Sequence, residues 1–410
     1  MSTHPRASLI DLTPVNPIYQ HDPHEVLRPL REACPVGRDS QAGTFIVTRY
    51  ADVLRVLANG HTFRDGARAE ESAILSRRQA AQVPPDVLRA EAVSILMLDD
   101  PDHARIRRPL QRAFYARVKT CRQRVERVID EALDRIDPTQ PFDLMTSFCV
   151  PVPVDAIAAI IGVDGDRLDD FREWSEGVIL GLNPFRSTEQ TVVLEQCRHN
   201  LRTYFHEQIE QRRAEPRDDL ISDMVALQAS GAPINDVELA INLIALLVGG
   251  NLTTTDLIGN GARLLMLNPA ERDKLLDNTN LAPALVEEVL RFEGPVDMTQ
   301  RIMANDSEIG GCPVAATQTV TAVLRAANRD PIVYDNAEQF LIDAKREPHL
   351  SFGGGSHICI GAPLARLEGQ IALLKLFQRF PRLHIVEPEA EPAWRTLPFF
   401  RGLEHLLVQA

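Results

Sequence analysis

Apolar residues recur at helical spacing through the middle of the chain, whereas both ends carry short runs of alternating β-formers, so any fold must bring distant strands together. Helical periodicity covers residues 104–136, 192–213, 236–267, 269–275 and 282–291. Residues 43–57 pass from alternating β-formers into a helical pattern, which predicts a strand or hairpin followed by a helix. After Arg291 the period changes, and residues 302–309, 314–323 and 402–408 read as short strands joined by Gly, Pro and Asp turns. A small sheet built from both ends argues against two consecutive domains. The expectation is a single, mainly α unit over residues 1–410 with a small β-rich region.

Charge narrows the function. With 44 Lys and Arg against 57 Asp and Glu, the net charge is −13, and no lysine-rich tract offsets it. Nucleic acid and anionic membrane surfaces need many cations facing phosphates, so neither is an expected partner. The opening MSTHPRASLIDLTP is polar where a secretory signal needs an apolar core, and the greasiest stretch, residues 241–250, is too short to span a bilayer. Both observations predict a soluble, cytoplasmic protein. The cysteines Cys34, Cys121, Cys149, Cys197, Cys312 and Cys359 form no CxxC pair and have no His at zinc-finger spacing. Five read as free thiols in a reducing compartment.

The sixth, Cys359, stands in SFGGGSHICIGAPLARLE, residues 351–368, just before a segment with the leucine spacing of a buried amphipathic helix. Unpaired N–H groups and the positive dipole end at a helix start stabilise a thiolate, the metal-binding form of cysteine. Gly353, Gly354, Gly355 and Gly361 let the backbone pass close to a flat ligand, and Phe352 is placed to shield the sulfur. A plain turn leaves the Cys and His unexplained. A phosphate cradle would need Gly-Lys-Ser/Thr where Gly361, Ala362 and Pro363 stand.

The run from Phe352 to Gly361 resembles the haem-binding signature of the cytochromes P450, with Phe352, Gly355, Cys359 and Gly361 at the family's spacings. The resemblance implies the P450 fold, a triangular helical prism with haem between a long distal helix and the helix after the cysteine. It makes Cys359 the proximal iron ligand, with Phe352, Gly353 and Gly361 in its loop. The implied cofactor is haem b, iron protoporphyrin IX.

Other landmarks follow in order. Glu288-Val-Leu-Arg291 matches the family's structural ExxR motif, whose i, i+3 spacing puts both side chains on one helical face. Many relatives have Arg before the Phe of the later meander loop, whereas Gln339 precedes Phe340 here, so the third member of that buried network is missing or supplied from elsewhere. The resemblance assigns His103, Arg107, Arg301 and His357 to the haem propionates, which need cationic or donor partners. Residues 105–119 hold six cations and no acid: Arg105, Arg107, Arg108, Arg112, Arg117 and Lys119. This run either steers an acidic electron donor to the cysteine side or simply serves the propionates and solvent.

Residues 246–259, LLVGGNLTTTDLIG, resemble the distal helix that carries the family's oxygen-side motif, which aligns its key threonine with Thr253. Glycines in mid-helix cost about 1 kcal/mol each relative to alanine, and room for O2 beside Gly249 and Gly250 is the reason the resemblance supplies. Leu252 stands where relatives have an acid, and leucine cannot relay a proton. Asp256 one turn on, Asn251 with water, or the substrate itself remain as sources. Residues 62–95, 178–185, 295–298 and 398–400, with Ala245, Val248, Gly249 and Val296, are expected around the substrate. The implied activity is insertion of one oxygen atom of O2 into a small apolar organic molecule. Electrons would come from a separate ferredoxin served by an NAD(P)H-dependent reductase. The alternative is a haem-thiolate protein that uses peroxide or only binds ligands.

Overall fold

The computed structural model describes residues 8–58, 60–70, 93–183 and 185–410. Its organising element is the distal helix, Asp236–Leu267, which begins at a capping box. The Asn235 side chain accepts from the Glu238 N–H and the Glu238 carboxylate accepts from the Asn235 N–H, both at 2.9 Å. The helix is apolar on most of its circumference and therefore packs on several sides, against helices Pro151–Ile161, Leu168–Ile179, Thr188–Ala214, Ala282–Glu293 and Ala362–Arg379. Its full length and composition would suffice for a membrane crossing, as the stretch 241–250 alone would not, but most of its apolar window is buried inside the fold.

The strands from the two ends of the sequence do meet. They are β1 (Val36–Asp39), β2 (Thr44–Val47), β3 (Thr62–Phe63), β4 (Phe142–Asp143), β5 (Met298–Met303), β6 (Ser307–Ile309), β7 (Cys312–Val314), β8 (Thr319–Val323), β9 (His384–Ile385) and β10 (Leu407–Gln409). The main sheet has the order β1-β2-β8-β5-β3, with β2 parallel to β8 in the register Phe45 to Val320. Two smaller groups, β4-β10-β9 and β6-β7, complete the β-rich part.

Three expectations need correction. Residues 104–136 form two helices, Asp102–Thr120 and Arg122–Asp134, because the backbone turns at Cys121 (ψ −5°). Runs 302–309 and 314–323 each split into two strands at polar turns, giving β5 with β6 and β7 with β8. Of residues 402–408 only the end is strand, as β10, the earlier part being tied to residues 393–395 by loop hydrogen bonds. All six cysteines are free thiols. The site lies where the distal helix faces the loop that leads into the proximal helix, Ala362–Arg379.

Candidate functional site

The loop before the proximal helix is folded back by its own backbone. The Cys359 N–H donates to the Phe352 carbonyl at 2.9 Å, and the Gly353 N–H donates to the Leu350 carbonyl at 2.8 Å. Gly353 and Gly355 sit at φ +71° and +65°, where a side chain would be strained. Burial pushes the Cys359 thiol up, while the N–H groups of Gly361 and Ala362, then Arg107 and Arg366, pull it down. Arg366 lies 4.6 Å from the Phe352 ring centre and is paired with Glu287 at 2.7 and 2.9 Å.

Between this loop and the distal helix is a cavity of about 290 Å³. Its walls include Ile95, Leu96, Phe114, Ile157, Ala245, Leu246, Leu290, Pro295 and Val296, which are apolar. Among the described residues its charged members are Arg64, Arg107 and Arg301, and none of its lining residues is a carboxylate. Arg64 and Arg301 donate to the same two acceptors, the Thr299 hydroxyl (2.9 and 2.8 Å) and the Gln300 carbonyl (3.1 and 2.9 Å). Burial and then the neighbouring Arg64 push Arg301 down to about 9. Arg107 donates to the Ile358 carbonyl at 2.5 Å and to Gln111 at 3.1 Å.

His103 and His357 stack with ring centres 4.2 Å apart. Burial, then His103 and the nearby arginines, push His357 down to about 3, so it is a neutral donor, 3.8 Å from Asp99. His103 Nε2 is buried with no hydrogen-bond partner. Buried cations without acids and an orphaned ring nitrogen are expensive unless an anionic, hydrogen-bonding group completes them. Two propionates would do so. No group of three or more His, Cys, Asp or Glu gathers at one place among the described residues, so an iron ion held by Cys359 has to bring its other ligands, as a porphyrin does. The residues therefore fit haem.

On the opposite wall, the Thr253 hydroxyl donates to the Gly249 carbonyl at 2.7 Å, and a Cβ on Gly249 would meet open space. Leu252 is buried in packing. Asp256 does not reach the cavity: it is fully buried and paired with Arg395 at 2.9 and 3.0 Å, and burial raises it to about 6 against the pull of Arg395. Asn251 is likewise turned away, donating to Ser175 Oγ at 2.7 Å. The hydroxyl residues of the distal helix that line the cavity are Thr253 and Thr254.

Of the expected substrate contacts, Ala245, Gly249 and Val296 line the cavity. Val248 packs into the core instead, and residues 178–183, 185 and 398–400 are not in the lining. Residues 71–92 and 184, which fall within the expected ranges, lie outside the described residues. Arg64 falls within the expected range 62–95, but sequence reasoning does not single it out as a cation of the site; its signal is a cation directly after β3 with the buried Asp99 bound to its N–H at 2.8 Å.

Behind the cavity, Glu288 and Arg291 form a two-point pair at 2.8 and 2.7 Å, both buried. Arg291 also donates to the carbonyls of Asn328, Ala337 and Gln339. The network's third cation is Arg346, 3.3 Å from Glu288, so the arginine absent at position 339 comes from later in the loop. In the cationic helix, Arg105 is paired with Glu238, and Arg117 with Asp218 and Asp223. Arg108, Arg112 and Lys119 are exposed.

The family model "Cytochrome P450" matches residues 180–393. Cytochrome P450 107B1 of Saccharopolyspora erythraea is 33% identical, over 97% of this chain and 98% of its own length. The 6-deoxyerythronolide B hydroxylase of the same organism is 31% identical, over 93% and 94%. The crystal structure of P450BioI in complex with hexadec-9Z-enoic acid ligated acyl carrier protein superposes with a TM-score of 0.85 at 30% identity, covering 96% of this chain and 99% of that one.

Proposed function

The chain belongs to the cytochrome P450 family and is a haem-dependent monooxygenase, and from that premise we propose how its own residues serve the reaction and on what. The observation that carries the reading is the cavity itself: a cysteine and three arginines, with no carboxylate among its described lining residues, under an apolar roof. Haem b, when bound, supplies oxygen activation and the oxidising power.

Cys359 would ligate the haem iron as a thiolate, which the N–H groups that open the following helix favour. Arg64, Arg107 and Arg301, with His103 and His357 as neutral donors, would hold the propionates and so orient the cofactor. The apolar roof excludes water and selects a small apolar organic substrate between Ala245, Gly249 and Val296. Thr253 holds its hydroxyl against Gly249 and presents it to the oxygen side. With Leu252 buried, Asp256 locked to Arg395 and Asn251 to Ser175, protons reach Thr253 through water or a polar group of the substrate. Electrons come from a ferredoxin served by an NAD(P)H-dependent reductase, in the cytoplasm.

The test is an optical spectrum of the reduced, carbon-monoxide-bound protein, wild type against Cys359→Ser. The red-shifted band of thiolate-ligated haem is expected only in the wild type; a histidine-type band in well-folded wild type would overturn the ligand assignment. For the proton route, Leu252→Asp is expected to raise product formed per NAD(P)H consumed and to lower peroxide. Unchanged coupling in both Leu252→Asp and Leu252→Glu would sink it.

A further inference from the structure

A second cavity, of about 420 Å³, lies between the N-terminal helix Pro23–Ala33, the end of helix Ala282–Glu293 and the loop around Trp394 and Arg401. It shares no lining residue with the cysteine cavity among the described residues. Among the described residues four arginines line it, Arg28, Arg263, Arg329 and Arg401, against three acids, Asp22, Glu293 and Glu338.

Most of these charges are already satisfied. Arg401 bonds Glu293 at 3.0 Å and the carbonyls of Gln20 and His21. Arg329 holds Glu338 at 2.7 Å and the Phe292 carbonyl, and Arg28 reaches Glu338 at 3.5 Å from a half-exposed position. Glu293 also takes Arg325. Arg263 is different. It lies over the Trp394 ring at 5.4 Å and makes no hydrogen bond or ion pair with any described residue.

His24, only 4% exposed, borders the same cavity, and neither ring nitrogen has a hydrogen-bond partner. Burial, then Arg329, Arg325, Arg31 and Arg401, hold its pKa well below the ordinary histidine value, so it is a neutral ring with one N–H to give. Buried polar groups are nearly always bonded, and an exception calls for an explanation. Here a buried imidazole with no hydrogen-bond partner and a part-buried guanidinium, within the field of Glu293 but without a hydrogen bond, border a single polar chamber.

We propose that this chamber is a binding site for a phosphate-type oxyanion, free or as the end of a phosphomonoester, held by Arg263 and His24 with Arg28 at its mouth. Donors converge on it from the distal helix and the N-terminal helix, and a tetrahedral anion offers acceptors in several directions, where a carboxylate offers two oxygens in one plane. The aromatic rings nearby are not free to stack on a ligand base, since Arg401 lies 3.7 Å from the Trp394 ring centre and Arg329 lies 3.3 Å from that of Phe292.

The test is calorimetric titration of the haem-loaded protein with inorganic phosphate, with glycerol phosphate and with acetate, chloride holding the ionic strength constant. Saturable one-site binding is expected for a phosphate ligand, weakened about tenfold or more in Arg263→Gln and in His24→Phe. Both variants should keep the wild-type carbon monoxide spectrum, and Arg263→Lys should recover part of the affinity. Binding of glycerol phosphate alone would assign the site to a phosphomonoester, and binding of both to the free anion as well. Absence of saturable heat with either phosphate, equal affinity for acetate, or undiminished binding in well-folded Arg263→Gln and His24→Phe would overturn the proposal.

Discussion

Arg301 beside the cysteine cavity and Arg291 behind it are buried to the same degree, 5% and 2% exposed, yet they are satisfied in opposite ways. Arg291 has a carboxylate in two-point contact and three carbonyls. Arg301 shares a hydroxyl and a carbonyl with another arginine and has no carboxylate partner among the described residues. A paired buried cation is part of the fold; an unpaired one costs the fold until something anionic arrives. The first network is therefore complete in the protein alone, and the second is left for an anionic group to complete, as the proposed haem propionates would.

The largest effect is expected where the pairing is complete. Arg291→Met leaves Glu288 buried without its main partner, and loss of one member of a buried pair costs about 3–5 kcal/mol. Chemical denaturation of the haem-free protein is expected to show that loss in full. A variant as stable as wild type would place Glu288–Arg291 outside the structural frame and end the contrast.

Arg301→Gln should behave oppositely in the two states. In the haem-free protein it removes an unpaired buried charge, so stability is expected to hold or rise. In the loaded protein it removes charge-assisted bonds worth about 1.5–3 kcal/mol, so haem affinity is expected to fall by roughly 10- to 150-fold. Transfer of haem to an excess of an apo-haem protein measures the second effect. Destabilisation of both states alike would show that Arg301 belongs to the frame.

This contrast also marks how far the sequence could be read. Helix periodicity gave the distal helix to the residue, 236–267, because one apolar pattern runs its whole length between a capping box and Asn268. The break at Cys121 was not legible, since the apolar spacing continues across it. The cysteine loop and the ExxR pair were visible as local motifs, whereas Arg346 and Arg64 act through partners far off in sequence, Glu288 and Thr299. Asp256 shows the converse. Its position one turn after Thr253 suggested a role in the cavity, and only the tertiary structure turns it to Arg395, beside Gly402, where a Cβ would sit 1.8 Å from its carboxylate.

Asp256 thus belongs to the paired region although it shares a helix with the site, and its pH dependence can check that. Burial raises it to about 6 in the fold, above its ordinary value of 3.8, so the folded state holds the proton more tightly than the unfolded state. Its contribution is then fully present below about pH 4 and is lost as pH rises through 6. Stability of the haem-free protein should fall by about 1–3 kcal/mol across that window, and Asp256→Asn should flatten the slope. An unchanged slope in the variant would assign it to another group.

The smallest effect concerns the cations that pair with nothing inside. In the arginine-rich helix, Arg105 and Arg117 are tied to acids from elsewhere, and Arg107 turns inward to the cysteine loop. Of the six, Arg108, Arg112 and Lys119 are left to face solvent. A docking role predicts a change in association rate and in its salt dependence, since exposed charges steer encounter more than they hold a complex. Arg112→Glu is expected to slow reduction by an acidic ferredoxin about three- to tenfold at low ionic strength, and the difference should vanish near 0.5 M salt, where charges are screened within a few ångströms. Stability and haem affinity should stay at wild-type values, which separates this surface from both buried networks. Equal reduction rates at low salt would leave Arg112 a solvated side chain and move the electron donor's footprint elsewhere.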